Sequence, residues 1–277
     1  MKKLRIGFQG EHGAFSEQAV FQHFGPSVET VPSRTIREVF NLTEVGAIDS
    51  GVVPVENSIE GSISETYDML LTSSVKVVGE VAVRVVHCLI ALPSARLSDI
   101  KVIYSHPQAL AQCRNFVAGL GAEPRVAYDT AGSVKMIKDE GLVAAGAIAS
   151  EKAAEIYGMK ILKKGIEDYG RNFTRFLVVS KNEGKRTGNS KTSVIFSVPH
   201  TPGSLYNVLE VFARAGINMT KIESRPTRQR PWEYYFFVDI EGHHKDREIA
   251  RAFAEIATKT VFLKVLGSYP RLKEDLV

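Results

Sequence analysis

Gly51-Val52-Val53-Pro54-Val55-Glu56-Asn57-Ser58-Ile59-Glu60-Gly61 is the stretch on which the reading of the fold turns. Residues 48–53 form the short apolar run that a buried strand needs, and Pro54, which brings no N–H to a ladder, is expected to end it. The chain then passes straight into Glu56, Asn57 and Ser58. In open α/β sheets, polar side chains at the C-terminal ends of strands are where ligands bind. The same residues also suit a turn in which Asn57 and Ser58 bond their own backbone. The stretch alone leaves both readings open.

Working outward, residues 4–9 are a short apolar run ending at Gly10. Ser16 is a candidate cap for a helix reaching His23, and 28–31 reads as a strand. Thr35 with Glu38 three residues on has the capping-box pattern, and Ile36, Val39 and Phe40 share a helical face. On the other side, 63–71 reads as a helix. The Val-rich run 75–86 and the apolar run 88–92 read as strands that could cross between two lobes. A second set follows: strand 102–104, helix 108–120, a helix from Thr130 to 140, strand 143–148, a helix capped by Ser150, and strand 172–180. This alternation predicts an α/β architecture with largely parallel sheets. A cleft between two such lobes is a natural site for a small anion.

Three more stretches place polar chemistry at strand ends. Ser105-His106-Pro107-Gln108 runs from a strand into a helix, with Gln108 and Gln112 one turn apart on one face. The helix start also offers backbone N–H groups to an anion, while capping alone would explain the same residues. Asp129-Thr130 with Ser133 and Lys135 puts a cap and a cation at another such turn. In Asn172-Phe173-Thr174-Arg175-Phe176, an extended backbone points Asn172, Thr174 and Phe176 one way and Phe173 and Arg175 the other.

Residues 181–191 contain no large apolar side chain, so the domain boundary is expected there: 1–182 as one domain, 183–191 as linker, 192–277 as a second domain. The second domain reads as strand 192–198, helix 203–215 ended by Gly216, strands 217–224 and 234–240, helix 246–258 and strand 261–266. That βαββαβ order is a ferredoxin-like unit.

Composition sets limits. The formal charge of +4 is spread along the chain, and the densest basic run, 185–191, is the linker, so no nucleic-acid partner is expected. No run approaches the ~18 apolar residues of a membrane span, and the N-terminus reads as a first strand rather than a signal peptide. The two cysteines, Cys88 and Cys113, lack metal-ligand spacing and suit a reducing cytosol. A cytoplasmic protein without membrane partner is the expectation.

Taken in order, the motifs resemble the prephenate dehydratase family. Gly10-Glu-His-Gly13-Ala-Phe-Ser16, Pro54-Val-Glu-Asn-Ser58, Ser105-His-Pro-Gln-Ala109 and Thr174-Arg175-Phe176 fit its catalytic domain. Pro202-Gly203-Ser204-Leu205-Tyr206 is similar to the regulatory motif of its ACT-type domain, departing from it at Ser204 and Tyr206. Glu223-Ser224-Arg225-Pro226 matches the second regulatory motif. The resemblance implies two α/β lobes like those of periplasmic binding proteins, then a ferredoxin-like ACT domain. It implies conversion of prephenate to phenylpyruvate without metal or organic cofactor, a monofunctional chain, and feedback by L-phenylalanine bound where two ACT copies meet. A homodimer or homotetramer follows from that.

The resemblance also assigns residues. Thr174 is the expected proton donor to the leaving hydroxyl, with Glu56, Asn57 and Gln112 as catalytic neighbours. Ser58, Ser105, Gln108, Arg175 and Phe176 are expected to bind substrate, Arg175 through its carboxylate-matching fork. Lys135 and His106 are weaker candidates. Gly203, Ser204, Leu205, Asn218, Glu223, Ser224 and Arg225 are expected to hold phenylalanine. The rivals are an arogenate dehydratase, a non-catalytic amino-acid sensor, and a dinucleotide enzyme. The last is poorly served by GxxGxxG spacing at Gly7, Gly10 and Gly13.

Overall fold

Apolar runs separated by capped helices build the first lobe. In the computed structural model, which describes residues 3–228 and 230–272, the order is β1 (Arg5–Gln9), α1 (Phe15–Phe24), β2 (Glu29–Ser33), α2 (Ile36–Val45), β3 (Ser50–Asn57), β4 (Gly61–Ser62), α3 (Ser64–Thr72) and β5 (Lys76–Arg84). The chain crosses to a second lobe at 85–87. There it forms β6 (Cys88–Ala91), β7 (Val102–Ser105), α4 (Pro107–Gln112), α5 (Arg114–Leu120), β8 (Glu123–Val126), α6 (Thr130–Glu140), β9 (Ala145–Ala149), α7 (Glu151–Tyr157) and β10 (Lys160–Lys164). It returns as β11 (Phe173–Ser180). The first sheet has the order β2-β1-β3-β11-β5 with β4 on β3; the second has the order β10-β6-β9-β7-β8.

Several expectations are corrected. The strand through Gly51 does not stop at Pro54 but runs to Asn57. Its pairing with β1 ends at Val52, so the missing N–H of Pro54 breaks no bond of that ladder. Ser16 lies inside α1 rather than capping it; the Glu17 carboxylate instead accepts from Gly13 N at 2.6 Å. The helix expected over 108–120 is two helices broken at Cys113. Asp168 causes the break: its N–H takes the Gln112 carbonyl at 2.7 Å, and its carboxylate accepts from Asn115 N. The second sheet is mixed, because β6 runs antiparallel to both β9 and β10. The caps at Thr35 and Ser150 are present, but α6 is capped by Asp129 rather than Thr130.

The C-terminal elements are β12 (Ser190–Ser197), α8 (Ser204–Arg214), β13 (Met219–Pro226), β14 (Tyr234–Glu241), α9 (Arg247–Lys259) and β15 (Phe262–Pro270). They form an antiparallel sheet of order β13-β14-β12-β15. Val208, Val211 and Phe212 of α8 and Ile249, Phe253 and Ile256 of α9 cover it around Val194, Phe196 and Val238. Gly216 takes φ 65°, the left-handed position after a helix that glycine occupies without strain.

Contacts divide the described residues into two units: 3–66 with Val81–Phe176, and Tyr67–Glu80 with the described residues of 177–272. Within the second unit, Lys264 Nζ donates to the carbonyls of Leu70, Leu71 and Ser73, where α3 leaves its last carbonyls unpaired. The Lys191 ammonium meets the Glu80 carboxylate at 2.7 Å, both side chains nearly out of solvent. Cys88 and Cys113 are free and buried, and burial pushes the Cys88 thiol up to about 11, so neither is primed as a thiolate. Among the described residues, no helix is long and apolar enough to cross a membrane.

Candidate active site

The C-terminal end of β3 and the start of β11 meet in the first lobe, and their polar residues face a cavity of about 110 Å³. Asn57, Thr174, Phe176, Gln108 and Gln112 line it. So do Phe15 and Ser16 at the start of α1 and Thr130 at the start of α6. With Gln108 at the start of α4, three helix N-termini converge on one space. Each brings the positive end of its dipole, while Asp129 takes the N–H groups of Ala131 and Gly132 in α6 and His106 takes that of Gln108 in α4. The lining contains no Lys, Arg, Asp or Glu.

Thr174 is 9% exposed. Asn57 Nδ2 reaches Thr174 Oγ1 at 3.0 Å and Asn172 Oδ1 at 2.7 Å. Asn57 itself is oriented by the backbone, because its Oδ1 accepts from the N–H groups of Ile59 and Glu60. Thr174 Oγ1 is therefore an acceptor toward Asn57, and its own hydrogen is available to another group.

The network continues into the second lobe. Asn172 Nδ2 donates to Gln112 Oε1 at 2.7 Å, and His87 Nε2 lies 2.8 Å from the same oxygen. With Oε1 engaged twice, the NH₂ of Gln112 is the end left for a ligand. His87 is 2% exposed and lines the cavity. Burial holds its pKa below the ordinary value, against the opposing pull of Gln112 and Glu167. His106 Nδ1 accepts from Gln108 N and caps α4, and burial lowers its pKa as well.

A second set of contacts clasps the lobes. Asp129 Oδ2 accepts from Glu11 N at 2.8 Å while its carboxylate caps α6. Tyr128 OH donates to Glu11 Oε1, Lys135 pairs with Glu11 Oε2 at 3.3 Å, and Ser150 Oγ donates to the Gly13 carbonyl. Gly13 has φ 90°, and a Cβ there would stand 2.7 Å from Ala153 Cα. Gly13 thus lets backbone approach backbone across the lobes, and Gly10 leaves room for the Asp129 carboxylate.

Other expected site residues lie elsewhere. Glu56 and Arg175 pair with each other at 3.4 Å and are not in the cavity lining. The alternation of β3 and β11 that turns Asn57 and Thr174 inward turns their neighbours away. Ser58 bonds Arg171 O and Phe173 N, and Ser105 bonds Ile148 O. In the second unit, Gly203, Ser204 and Leu205 line an open cavity of about 500 Å³ at 198–206, whose lining includes none of Asn218, Glu223, Ser224 or Arg225. The latter three lie on β13, at the edge of its sheet, where Arg225 approaches Asp68 at 3.7 Å. Sequence reasoning passed over His87 and gave Asn172 no role. The signal in the sequence for His87 was a lone histidine between two apolar strands.

Comparison with known proteins identifies the family. The family description Prephenate dehydratase matches residues 6–184, and ACT domain matches 192–258. A bifunctional chorismate mutase/prephenate dehydratase of Aquifex aeolicus is 45% identical over 98% of this chain and 74% of its own length. Arogenate dehydratase/prephenate dehydratase 2 of Arabidopsis thaliana is 42% identical over 97% and 73%. The prephenate dehydratase of Arthrobacter aurescens, solved in complex with L-Phe, superposes with a TM-score of 0.88 at 32% identity, over 99% of this chain and 91% of that one. A quorum quenching acylase of a novel type gives 0.87 at 34%, over 97% and 98%.

Proposed function

We propose, from the premise that this chain belongs to the prephenate dehydratase family and carries an ACT domain, that the cavity at Thr174 is where prephenate becomes phenylpyruvate. The observation that carries the reading is the Asn57–Thr174 hydrogen bond, which leaves the Thr174 hydrogen to be donated into a cavity ringed by helix N-termini. The positive ends of these helix dipoles favour a dianion without a fixed cation. The electron pair of the ring C–carboxylate bond moves into the ring as carbon dioxide departs. The C–O bond breaks on the far side of the ring. The departing oxygen takes the Thr174 proton and leaves as water, and Thr174 recovers a proton from solvent. A threonine hydroxyl is a weak acid, so its part rests on placement against the oxygen and on stabilisation of developing charge by Asn57 and the Gln112 NH₂.

We assign the remaining roles on the same basis. Residues 1–182 would be catalytic, 183–191 linker and 192–277 regulatory. Phenylalanine would bind at the 198–206 cavity, with Glu223, Ser224 and Arg225 of a second copy completing the site, which calls for a homo-oligomer. Free, buried cysteines favour a cytoplasmic setting. Arogenate is the second reading, because a relative 42% identical is named for both substrates. The test is incubation with prephenate or arogenate at neutral pH, with and without phenylalanine, and a no-enzyme control. Phenylpyruvate suppressed by phenylalanine is expected. Product from arogenate alone would reassign the substrate, and no product from either would reject a catalytic cleft. Acyl-amide hydrolysis by the same preparation is the control for the activity named in the acylase relative.

A further inference from the structure

The donors and acceptors around His87 are determined one after another. Backbone N–H groups of Ile59 and Glu60 fix Asn57 Oδ1 as oxygen, so Asn57 Nδ2 donates to Asn172 Oδ1. Asn172 Nδ2 must then donate to Gln112 Oε1, and that oxygen can only accept from His87 Nε2. His87 therefore carries its hydrogen on Nε2. Its Nδ1, in a neutral ring, is a lone pair. Among the described residues that Nδ1 is buried without a partner, on a side chain that lines the cavity. Leaving a buried acceptor unpaired is unfavourable, and a ligand donor would relieve it.

We propose that His87 Nδ1 accepts the hydrogen bond of the substrate's ring hydroxyl and so turns the oxygen lone pairs of that hydroxyl toward Thr174. The inference rests on the prephenate reading. The prephenate dianion has two carboxylates and a keto oxygen, all acceptors, and a single donor, the ring hydroxyl. An acceptor-only nitrogen can pair with nothing else on that molecule. Holding the hydroxyl hydrogen while Thr174 supplies a second one delivers the leaving group as water. The charged or titratable groups near His87 are Glu167, whose carboxylate accepts from His87 N at 2.9 Å, and His106 across the same cavity.

Two substitutions separate contact from bracing. His87→Gln keeps a donor where Nε2 stands, preserving the bond to Gln112, and removes Nδ1. His87→Asn keeps an acceptor where Nδ1 stands and loses Gln112. The proposal expects kcat on prephenate to fall about tenfold in His87→Gln, the scale of one lost hydrogen bond, and to fall less in His87→Asn. The reverse order would show that His87 only braces Gln112 and would overturn the proposal. If neither variant folds by circular dichroism, the kcat–pH profile of the wild type decides. Activity lost as pH falls below the ordinary imidazole value of about 6.5, and lost in the same way in His106→Asn, supports the proposal; a limb that disappears in His106→Asn belongs to His106 and overturns it. Activity lost as pH rises through that region would make His87 an acid and overturn it. Where the variants fold, an acid limb that persists in both belongs to His106 and counts against it. Absence of any wild-type turnover would instead remove the family reaction, and this contact with it.

Discussion

Asn57 Nδ2 donates to Thr174 Oγ1 across 3.0 Å, though 117 residues separate them in sequence. The bond makes the threonine oxygen an acceptor on that side and leaves its hydrogen to be donated elsewhere. Thr174→Ala should lower kcat by about 10²-fold or more, the scale of positioned proton transfer, with an unchanged circular-dichroism spectrum. Thr174→Ser should retain part of the rate. Asn57→Ala should lower kcat by about tenfold, one oriented hydrogen bond, and add little on top of Thr174→Ala because both act on one hydroxyl. Steady-state kinetics of the wild type and the four variants decide this; full additivity would separate the two residues.

Gly13 combines a left-handed φ with backbone contact to Ala153. Gly13→Ala should cost about 1–3 kcal/mol of stability, as strained positions of this kind do, read as a lower urea midpoint. Turnover should fall with it, since the same loop carries the Glu11 contacts to Tyr128 and Lys135. An unshifted midpoint would mean that the loop relaxes without loss.

His106 caps α4 through an unprotonated Nδ1, and burial depresses its pKa. Its folded pKa lies below that of the unfolded chain, so the unfolded state binds the proton first as pH falls. The stability it contributes is complete above about 6.5 and declines below that value. Burial raises the Asp129 pKa, with the opposite sign: protonation of the native carboxyl begins above the unfolded value near 3.9 and favours the folded state there. Between pH 7 and 5 the melting temperature should fall, and less so in His106→Asn, which keeps a capping side chain. A slope unchanged by the substitution would assign the effect to another histidine.

Lys191 and Glu80 form a nearly solvent-free ion pair. Glu80→Leu or Lys191→Met alone should destabilise by about 3–5 kcal/mol, because each leaves one charge buried without its counter-ion. The double substitution should recover most of the loss. Chemical denaturation of the four proteins tests the cycle; strict additivity of the single losses would refute a direct pairing energy.

Phenylalanine should raise the melting temperature of the wild type, with about 2.7 kcal/mol of stabilisation when the ligand stands 100-fold above its Kd. Gly203→Val should abolish the shift. Gly203 sits at φ 83° at the lip of the 198–206 cavity, where valine is both strained and obstructive. A shift that survives would place the effector elsewhere.

The α/β alternation, the βαββαβ order and the polar ends of β3 and β11 were legible in residues alone, because strand and helix periods are local properties. The break at Cys113 was not. It depends on Asp168, more than fifty residues later, satisfying both sides of the break. The inward direction of Thr174 followed from strand alternation, but the Glu56–Arg175 pair that occupies the opposite face depends on β3 and β11 lying side by side.

The family, the two kinds of α/β unit and the threonine at a strand end were all readable from residue order, since these reside in short patterns of residue type. That His87, between two strands, stands at the end of a chain of amides running back to Asn57 came from the folded arrangement alone. Hydrogen-bond direction is settled by which donors and acceptors the fold brings within 3 Å, and that is a property of space and not of order along the chain.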